Sequence, residues 1–143
     1  MTTTLQGKRS VAAVLALILT GCSSTPPAHL GINDGKLAPC PSSPNCVSSF
    51  ATEPDQAIRP LNGDLKRIER IVKTLDGAEI VEASPGYLRV EFTSAIFRFV
   101  DDVEFVQMGD ADVVHLRSAS RLGYSDLGVN RKRIEELRER LEQ

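Results

Sequence analysis

The chain has 143 residues, of which 41% are hydrophobic and 25% are charged, and both fractions are ordinary for a globular protein of one domain. Without residues 1–21 the chain loses Lys8 and Arg9 from its 17 basic residues and keeps 15 against 19 acidic ones, a net charge of −4. This charge excludes a nucleic-acid-binding protein of the basic type.

The N-terminus has the pattern of a bacterial export signal. Lys8 and Arg9 precede an apolar run over residues 11–19, which is shorter than the roughly 20 residues of a membrane-spanning helix. The run ends in LTGC at residues 19–22, which resembles a lipobox. The resemblance implies that residues 1–21 are cleaved, that Cys22 is acylated, and that Ser23 directs the protein to the outer membrane of a Gram-negative cell. An ordinary signal peptide with a chance cysteine is the alternative.

Residues 22–38 are rich in Ser, Pro and Gly and lack a hydrophobic period, so they predict a flexible tether before a domain over residues 39–143. Two further cysteines, Cys40 and Cys46, lie in CPSSPNC. An extracytoplasmic location permits a disulfide between them. A metal or redox pair is the alternative, but the chain has neither a C-x-x-C motif nor a second pair of ligands.

The first predicted helix follows a Pro-rich stretch. Asp64 or Asn62 is its expected cap, and Gly77 its expected end. Apolar residues repeat with helical spacing at Leu65, Ile68, Val72 and Leu75.

Four strands are predicted next, over residues 78–83, 87–93, 94–108 and 113–118. The tripeptide Ser-Pro-Gly at 84–86 predicts a hairpin between the first two strands. In the third strand, Phe97 and Phe99 are in phase with Val103 and Phe105. A bulge near residues 93–95 is expected to restore the register with the second strand.

A final helix is predicted to begin near Asn130, a favourable cap, with an apolar stripe at Ile134, Leu137 and Leu141. The order of helix, four strands and helix predicts the fold class. We expect an α+β domain, single and small, with a mainly antiparallel four-stranded sheet and an N-terminal and a C-terminal helix packed on it.

The segment between the fourth strand and the final helix is polar and carries five cationic side chains within residues 117–133. Together with a carboxylate pair in the third strand it forms the candidate anion-binding site or structural network: Asp101, Asp102, Arg117, Ser118, Ser120, Arg121, Tyr124, Ser125, Asp126, Asn130 and Arg131.

Two interpretations of this set stay open. In one, buried carboxylates pair with arginines and tie the sheet to the last loop and helix, while the serines and Asp126 form turns. In the other, Arg117, Arg121 and Arg131 face outward and bind an anion beside the N-terminus of the helix. Cations in the first turn oppose the helix dipole, which indicates that Asp126, Asp101 or a ligand meets them.

A hydrolase is the competing class, with Asp101 or Asp102, His115 and the loop serines as its groups. Strand alternation places His115 and Ser118 on opposite faces, and no G-x-S-x-G motif is present. With two histidines in the chain, one of them in the predicted tether, neither a zinc site nor another cofactor is expected.

Three segments, CPSSPNCVSS, FRFVDDVEF and RSASRLGYSDLGVNRKRIEELR, resemble in this order the family catalogued as domain of unknown function 1499. The resemblance covers about residues 38–142. It implies a small single-domain protein, often secreted or membrane-attached in bacteria, and it implies no activity, cofactor or catalytic residue.

The sequence therefore predicts a cell-envelope lipoprotein that faces the periplasm or the exterior. Its expected role is that of a non-enzymatic binding or structural module whose Arg-rich loop engages an anionic small molecule, a lipid head group or an envelope protein. A small envelope hydrolase is the alternative.

Overall fold

Six antiparallel strands and two helices form the domain in a computed structural model that describes residues 25–109 and 111–143. This confirms the predicted α+β class, with two more strands than expected. The elements in chain order are β1 (Cys46–Ser48), β2 (Leu61–Asn62), α1 (Leu65–Val72), β3 (Ala78–Ser84), β4 (Tyr87–Thr93), β5 (Val100–Gln107), β6 (Val113–Ser120) and α2 (Val129–Glu142).

The two strands that were not predicted, β1 and β2, both pair with β6 and extend a sheet of order β1-β6-β5-β4-β3. Val47 lies opposite Ser118, and Leu61 lies opposite Val114. Strands of three and two residues are too short to show an alternating pattern, so the sequence gives no signal for them.

The hairpin between β3 and β4 is confirmed, with Ser84 paired to Tyr87 across Pro85 and Gly86. Gly86 has a φ of 78°, and a Cβ there would come within 3.0 Å of the Gln107 carbonyl oxygen. The left-handed backbone and the close approach of β5 both favour glycine at this turn.

The predicted strand over residues 94–108 is wrong in its first six residues. Thr93 pairs with Val100, and residues 94–99 form a loop that leaves Phe97 and Phe99 exposed. The Ser94 hydroxyl and carbonyl oxygens close this loop by accepting N–H bonds. The alternating phenylalanines have the spacing of a strand. The backbone nevertheless turns here, because the Ser94 side chain competes with strand pairing for its hydrogen bonds.

Helix α1 begins as predicted, since the Asp64 carboxylate accepts the Arg67 N–H at 2.8 Å. The helix ends at Val72, earlier than the expected end at Gly77. Gly77 instead lies in the turn into β3, where a Cβ would be 2.6 Å from the Thr93 carbonyl oxygen. Steric crowding against β4 therefore explains this glycine better than helix capping does.

The main core lies between one face of the sheet and the two helices. The helices contribute Ile68 and Val72 from α1 and Ile134, Leu137 and Leu141 from α2. The sheet contributes alternate residues of its long strands, as expected for a strand with one face on a core. These are chiefly Leu88, Val90, Val103, Phe105, Val114 and Leu116.

The opposite face of the sheet is covered by the chain that precedes β1. Leu37 is buried against Tyr87 and Val106, with Phe50 beside them, and the Gly31 N–H donates to Glu104 at 2.7 Å. The predicted tether therefore contacts the sheet at His29, Gly31 and Leu37, whereas residues 32–36 are exposed. Composition indicated no contact here, because the partners lie about 70 residues further along the chain.

The predicted disulfide is confirmed: Cys40 and Cys46 are bonded, with their Cα atoms 5.7 Å apart. The predicted signal segment and Cys22 lie outside the described residues. Among the described residues, no helix is long and apolar enough to cross a membrane.

Candidate functional site

Three arginines and three carboxylates lie together on the sheet face away from the helices. Strand alternation places them there, because each long strand contributes every second residue to this face. They are Arg89 and Glu91 from β4, Asp102 and Glu104 from β5, and Arg117 and Arg121 from and just after β6. We call these six residues the back-face network.

Arg121 is the centre of one half of the network. Its Nε and Nη2 atoms donate to the two oxygens of Asp102 at 2.7 and 2.8 Å, and Nη2 also donates to Glu91. Asp102 and Glu91 lie directly opposite each other on β5 and β4, where two like charges repel. The fork of Arg121 removes this repulsion.

Burial and charge state agree with that arrangement. The side chains of Arg121 and Asp102 are 5% and 2% exposed. Hydrogen bonds to Asp102 raise the pKa of Arg121 despite the opposing effect of burial, so the guanidinium stays charged. Arg89 completes this half, with its Nη1 atom 3.2 Å from Glu91 and 3.4 Å from Asp102.

The other half of the network is centred on Glu104, which is fully buried. Its Oε1 atom accepts the Tyr87 hydroxyl at 2.8 Å and the Gly31 N–H at 2.7 Å. Its Oε2 atom is 3.7 Å from Arg117 Nη1, too far for a hydrogen bond. Among the described residues, Oε2 and the Arg117 Nε atom have no hydrogen-bond partner.

Burial of this half of the network shifts the pKa values of two of its members. Desolvation lowers the pKa of Arg117, although Glu104 opposes the shift, and desolvation together with Glu104 raises the pKa of Tyr87. Outside the network, Arg117 Nη2 is 3.3 Å from the His29 Nε2 atom of the N-terminal segment. The covering chain therefore contributes directly to this half of the network.

A second network lies on the helix side of the sheet, around Asp101. Arg133 donates to Asp101 at 2.6 Å and to Asn130 at 2.9 Å, and its guanidinium lies 4.5 Å from the centre of the Phe92 ring. Asp101 does therefore share a face with Phe105, as strand alternation predicted. Its partner Arg133 was not among the candidate residues, although cations in the first helical turn signalled an acidic neighbour.

Asn130 connects the first turn of α2 to three other segments. Its Oδ1 atom accepts the Ser118 hydroxyl, and its Nδ2 atom donates to Ser120, to Asp126 and to the Asn45 backbone carbonyl. Asn130 is fully buried. The amide therefore holds the helix onto the sheet.

Asn130 does not cap the helix, which corrects the prediction. The helix begins at Val129 after Gly128, and the Asp126 carboxylate accepts the N–H groups of Gly128 and Asn130 at 3.0 and 2.8 Å. Burial raises the pKa of Asp126, but these bonds outweigh it and hold the pKa below its ordinary value. Asp126 is the acidic group at the positive end of α2.

The other candidates of the loop serve local contacts or none. Ser125 accepts the Leu127 N–H at 3.2 Å. Arg131 donates to the backbone carbonyls of Asp55 and Ala57 at 3.1 and 2.9 Å. Tyr124 is exposed. These three residues therefore lie at the surface, in contrast to the buried arginines and carboxylates of the two networks.

The groups suggested for a hydrolase do not converge. His115 stacks on Phe50, and its Nδ1 atom is 3.1 Å from the hydroxyl of Ser49. That serine is committed to the backbone of Leu116, whose N–H it accepts at 2.9 Å. Ser118 lies on the other face with Asn130.

In the part of the chain that the structure describes, no group of three His, Cys, Asp or Glu side chains could hold a metal ion. A groove of about 710 Å³ does lie between α2, the turn before β3 and the loop that follows β4. Its cationic lining is Arg98, Lys132, Arg133 and Arg140. Among the described residues, Arg98 and Lys132 form no ion pair.

Comparison with known proteins gives one match. No curated protein and no solved structure is significantly similar to this chain. The model of the family described as Protein of unknown function (DUF1499) matches residues 36–141, which span nearly all of the described domain. The chain therefore belongs to the DUF1499 family.

Proposed function

We propose that the protein is a cell-envelope lipoprotein whose domain is a non-enzymatic structural and binding module at the membrane surface. The observation that supports a non-enzymatic module is that charged side chains of the Arg-rich segment are bound to other groups of the domain. Arg117 and Arg121 face Glu104 and Asp102 across the sheet, and Asp126 is used at the start of α2. A catalytic site needs polar groups that are free to act on a substrate.

The small envelope hydrolase gains no support from this geometry. A triad needs its nucleophile, base and orienting acid in one chain of hydrogen bonds. Here the serine beside His115 is Ser49, and the carboxylates Asp101 and Asp102 are paired with arginines elsewhere.

An anionic small molecule or envelope protein is the proposed type of partner. The cations suited to it are Arg98 and Lys132 at the groove beside α2, because the other loop arginines already have internal partners. Binding through exposed charges of this kind falls as the salt concentration rises.

The lipid anchor rests on the sequence around Cys22 and is tested directly. Cells that express the full chain are grown with radiolabelled palmitate and then separated into membrane and soluble fractions. We expect the wild type and Cys40→Ser to carry label in the membrane, and Cys22→Ser to carry none. Label that persists in Cys22→Ser, or an unlabelled wild type, would disprove the anchor.

A further inference from the structure

The exposed large apolar side chains of the described domain are concentrated in two loops and at the first residue of α2. Seven of the nine lie in residues 94–99 and 121–129, and Ile32 and Met108 are the other two. The seven are Ile96, Phe97, Phe99, Leu122, Tyr124, Leu127 and Val129. Scattered apolar residues need no explanation, but a concentration of this kind marks a contact surface.

Both loops emerge from the same end of the sheet. Residues 94–99 join β4 to β5, residues 121–128 join β6 to α2, and the Arg121 N–H donates to the Val100 carbonyl at 3.1 Å. The seven side chains therefore form one apolar end. We use this name for them below.

The loops are held in conformations that turn these side chains outward. Phe97 and Phe99 stack with their ring centres 5.7 Å apart. Leu127 has a φ of 55° and is 93% exposed. A positive φ is unfavourable for leucine, and its exposure gains nothing inside the domain. A contact outside the domain would account for both.

The start of the described chain lies near the same end. Pro27 lines a hollow together with Arg121 and Gly123, the first residues of the β6–α2 loop. Cys22 precedes Pro27 by five residues, which span at most about 17 Å even when fully extended. Acyl chains on Cys22 would therefore keep a bilayer within this reach of the apolar end.

The charges around the apolar end suit lipid phosphates. The exposed cations Arg98 and Lys132 flank it, and the carboxylate of Asp126, just before α2, accepts the backbone N–H groups of Gly128 and Asn130. This local excess of positive charge contrasts with the net charge of −4 for the chain after residue 21. Aromatic and aliphatic tips with flanking cations are the usual composition of a membrane-interface contact.

We propose that the apolar end inserts into the headgroup region of the bilayer that holds the Cys22 lipid, with Arg98 and Lys132 on lipid phosphates. The inference rests on the proposed lipid anchor. It adds a fixed orientation: the loops face the bilayer, and the β3–β4 turn and Met108 face away from it.

The chain lacks tryptophan, so a single introduced residue can report its own depth. Full-length lipidated protein with Phe97→Trp or Leu127→Trp is reconstituted into vesicles of brominated phosphatidylcholine, with and without phosphatidylglycerol. Met108→Trp, at the opposite end of the sheet, is the matched control. We expect a blue shift and bromine quenching at positions 97 and 127 but not at 108, and a stronger effect with phosphatidylglycerol.

The outcomes separate this inference from the anchor. If the protein sediments with vesicles but tryptophan at 97 and 127 is quenched no more than at 108, the docking is wrong and the anchor stands. If the protein does not sediment, the anchor fails and the docking fails with it. A third outcome is a dimer in detergent whose tryptophans at 97 and 127 are shielded from water but are never quenched by brominated lipid. The apolar end would then contact a second copy of the chain, and the proposal would be wrong.

The cation contribution has its own test. Arg98→Glu with Lys132→Glu in the Phe97→Trp protein should remove the response to phosphatidylglycerol, because anionic lipid then repels the loop. Lys36→Glu with Lys66→Glu, at two exposed lysines that do not line this groove, changes the net charge by the same amount and should keep the response. An unchanged response in the Arg98 and Lys132 variant would exclude phosphate contact at these residues.

Discussion

The two faces of the sheet have opposite chemistry, although their residues alternate along the same strands. The face beneath the helices is mainly apolar, and its buried carboxylate Asp101 is paired with Arg133. The other face carries the back-face network beneath the chain that precedes β1. Burial of apolar groups stabilises with little demand on geometry, whereas desolvation of charges nearly offsets their attraction. The apolar face should therefore supply most of the stability.

The charged face contributes specificity of strand register rather than stability. A slip of one residue between strands would turn its carboxylates toward the helices and the core side chains toward the covering chain. Buried charges without partners cost several kcal/mol each, on the order of the whole stability of a domain. The network thus penalises alternative registers of β4, β5 and β6, and substitutions on each face can test this division.

Removal of a core side chain from the apolar face should have the largest effect. Phe105 is fully buried between the sheet and the helices. We expect Phe105→Ala to lower the free energy of unfolding by about 4 kcal/mol, through lost burial and the cavity left behind. Urea denaturation of residues 23–143 measures it. Phe97→Ala, at an exposed phenylalanine, should change it by less than about 0.5 kcal/mol.

Loss of the central arginine of the charged face should come next. Arg121→Ala leaves Asp102 and Glu91 opposite each other and without their fork. We expect a loss of about 3 kcal/mol, at the lower end for a broken buried pair because Glu91 is partly exposed. Arg140→Ala, which breaks an exposed pair with Glu136 on α2, should cost about 0.5 kcal/mol or less.

A double variant sharpens this comparison. Arg121→Met with Asp102→Leu removes both charges and leaves Glu91 beside Arg89. We expect its unfolding free energy to return to within about 1 kcal/mol of the wild type, because an apolar pair of similar volume replaces a desolvated ion pair. If the double variant is instead less stable than Arg121→Ala, the pair contributes net stability and the proposed division between the two faces is wrong.

Patterns within single elements predicted much of this fold. The apolar spacing of α1 and α2 and the alternation of β3, β4 and β6 were visible, because each reflects one buried face. The loop at 94–99 was not, since its phenylalanines alternate like those of a strand. What distinguishes them is a bond to Ser94 that closes the loop. Local patterns cannot reveal a competing side-chain bond of this kind.

The candidate site was predicted in composition but not in pairing. The sequence placed Asp102 and Arg121 in one set, and the structure pairs them. Glu104 was overlooked, although it lies in phase with Asp102 and its burial could have been suspected from the apolar residues around it. The cover over Glu104 comes from Gly31, 73 residues away, and such a contact depends on the assembled fold.

The disulfide tests the cover on the charged face. Cys40–Cys46 closes a short loop between the covering segment and β1. We expect Cys40→Ser with Cys46→Ser to lower the unfolding free energy by about 2 kcal/mol, because the loop constrains the unfolded chain only slightly. Hydrogen exchange should be faster at the Gly31 amide and unchanged in the β4–β5 ladder. Equal acceleration at both places would mean that the covering segment does not open separately from the sheet.

The smallest expected loss of unfolding free energy follows substitution of Asp126, in the loop between β6 and α2. Its pKa lies below the ordinary value of 3.8, because the bonds from Asn130 and Gly128 outweigh its burial. A carboxyl group with a depressed folded pKa contributes stability above its unfolded pKa, and this contribution is lost as the pH falls through the folded pKa. Asp126→Asn should therefore cost about 1 kcal/mol at neutral pH.

The difference between Asp126→Asn and the wild type should then shrink in acid, below the ordinary carboxyl pKa. Urea midpoints measured across this range for both proteins give the result. Asp55→Asn, at an exposed carboxylate with no ion pair among the described residues, should show little change at any pH. A difference that is constant from neutral to acid pH would mean that Asp126 acts through hydrogen-bond geometry alone, and the charge at the positive end of α2 would then contribute nothing measurable.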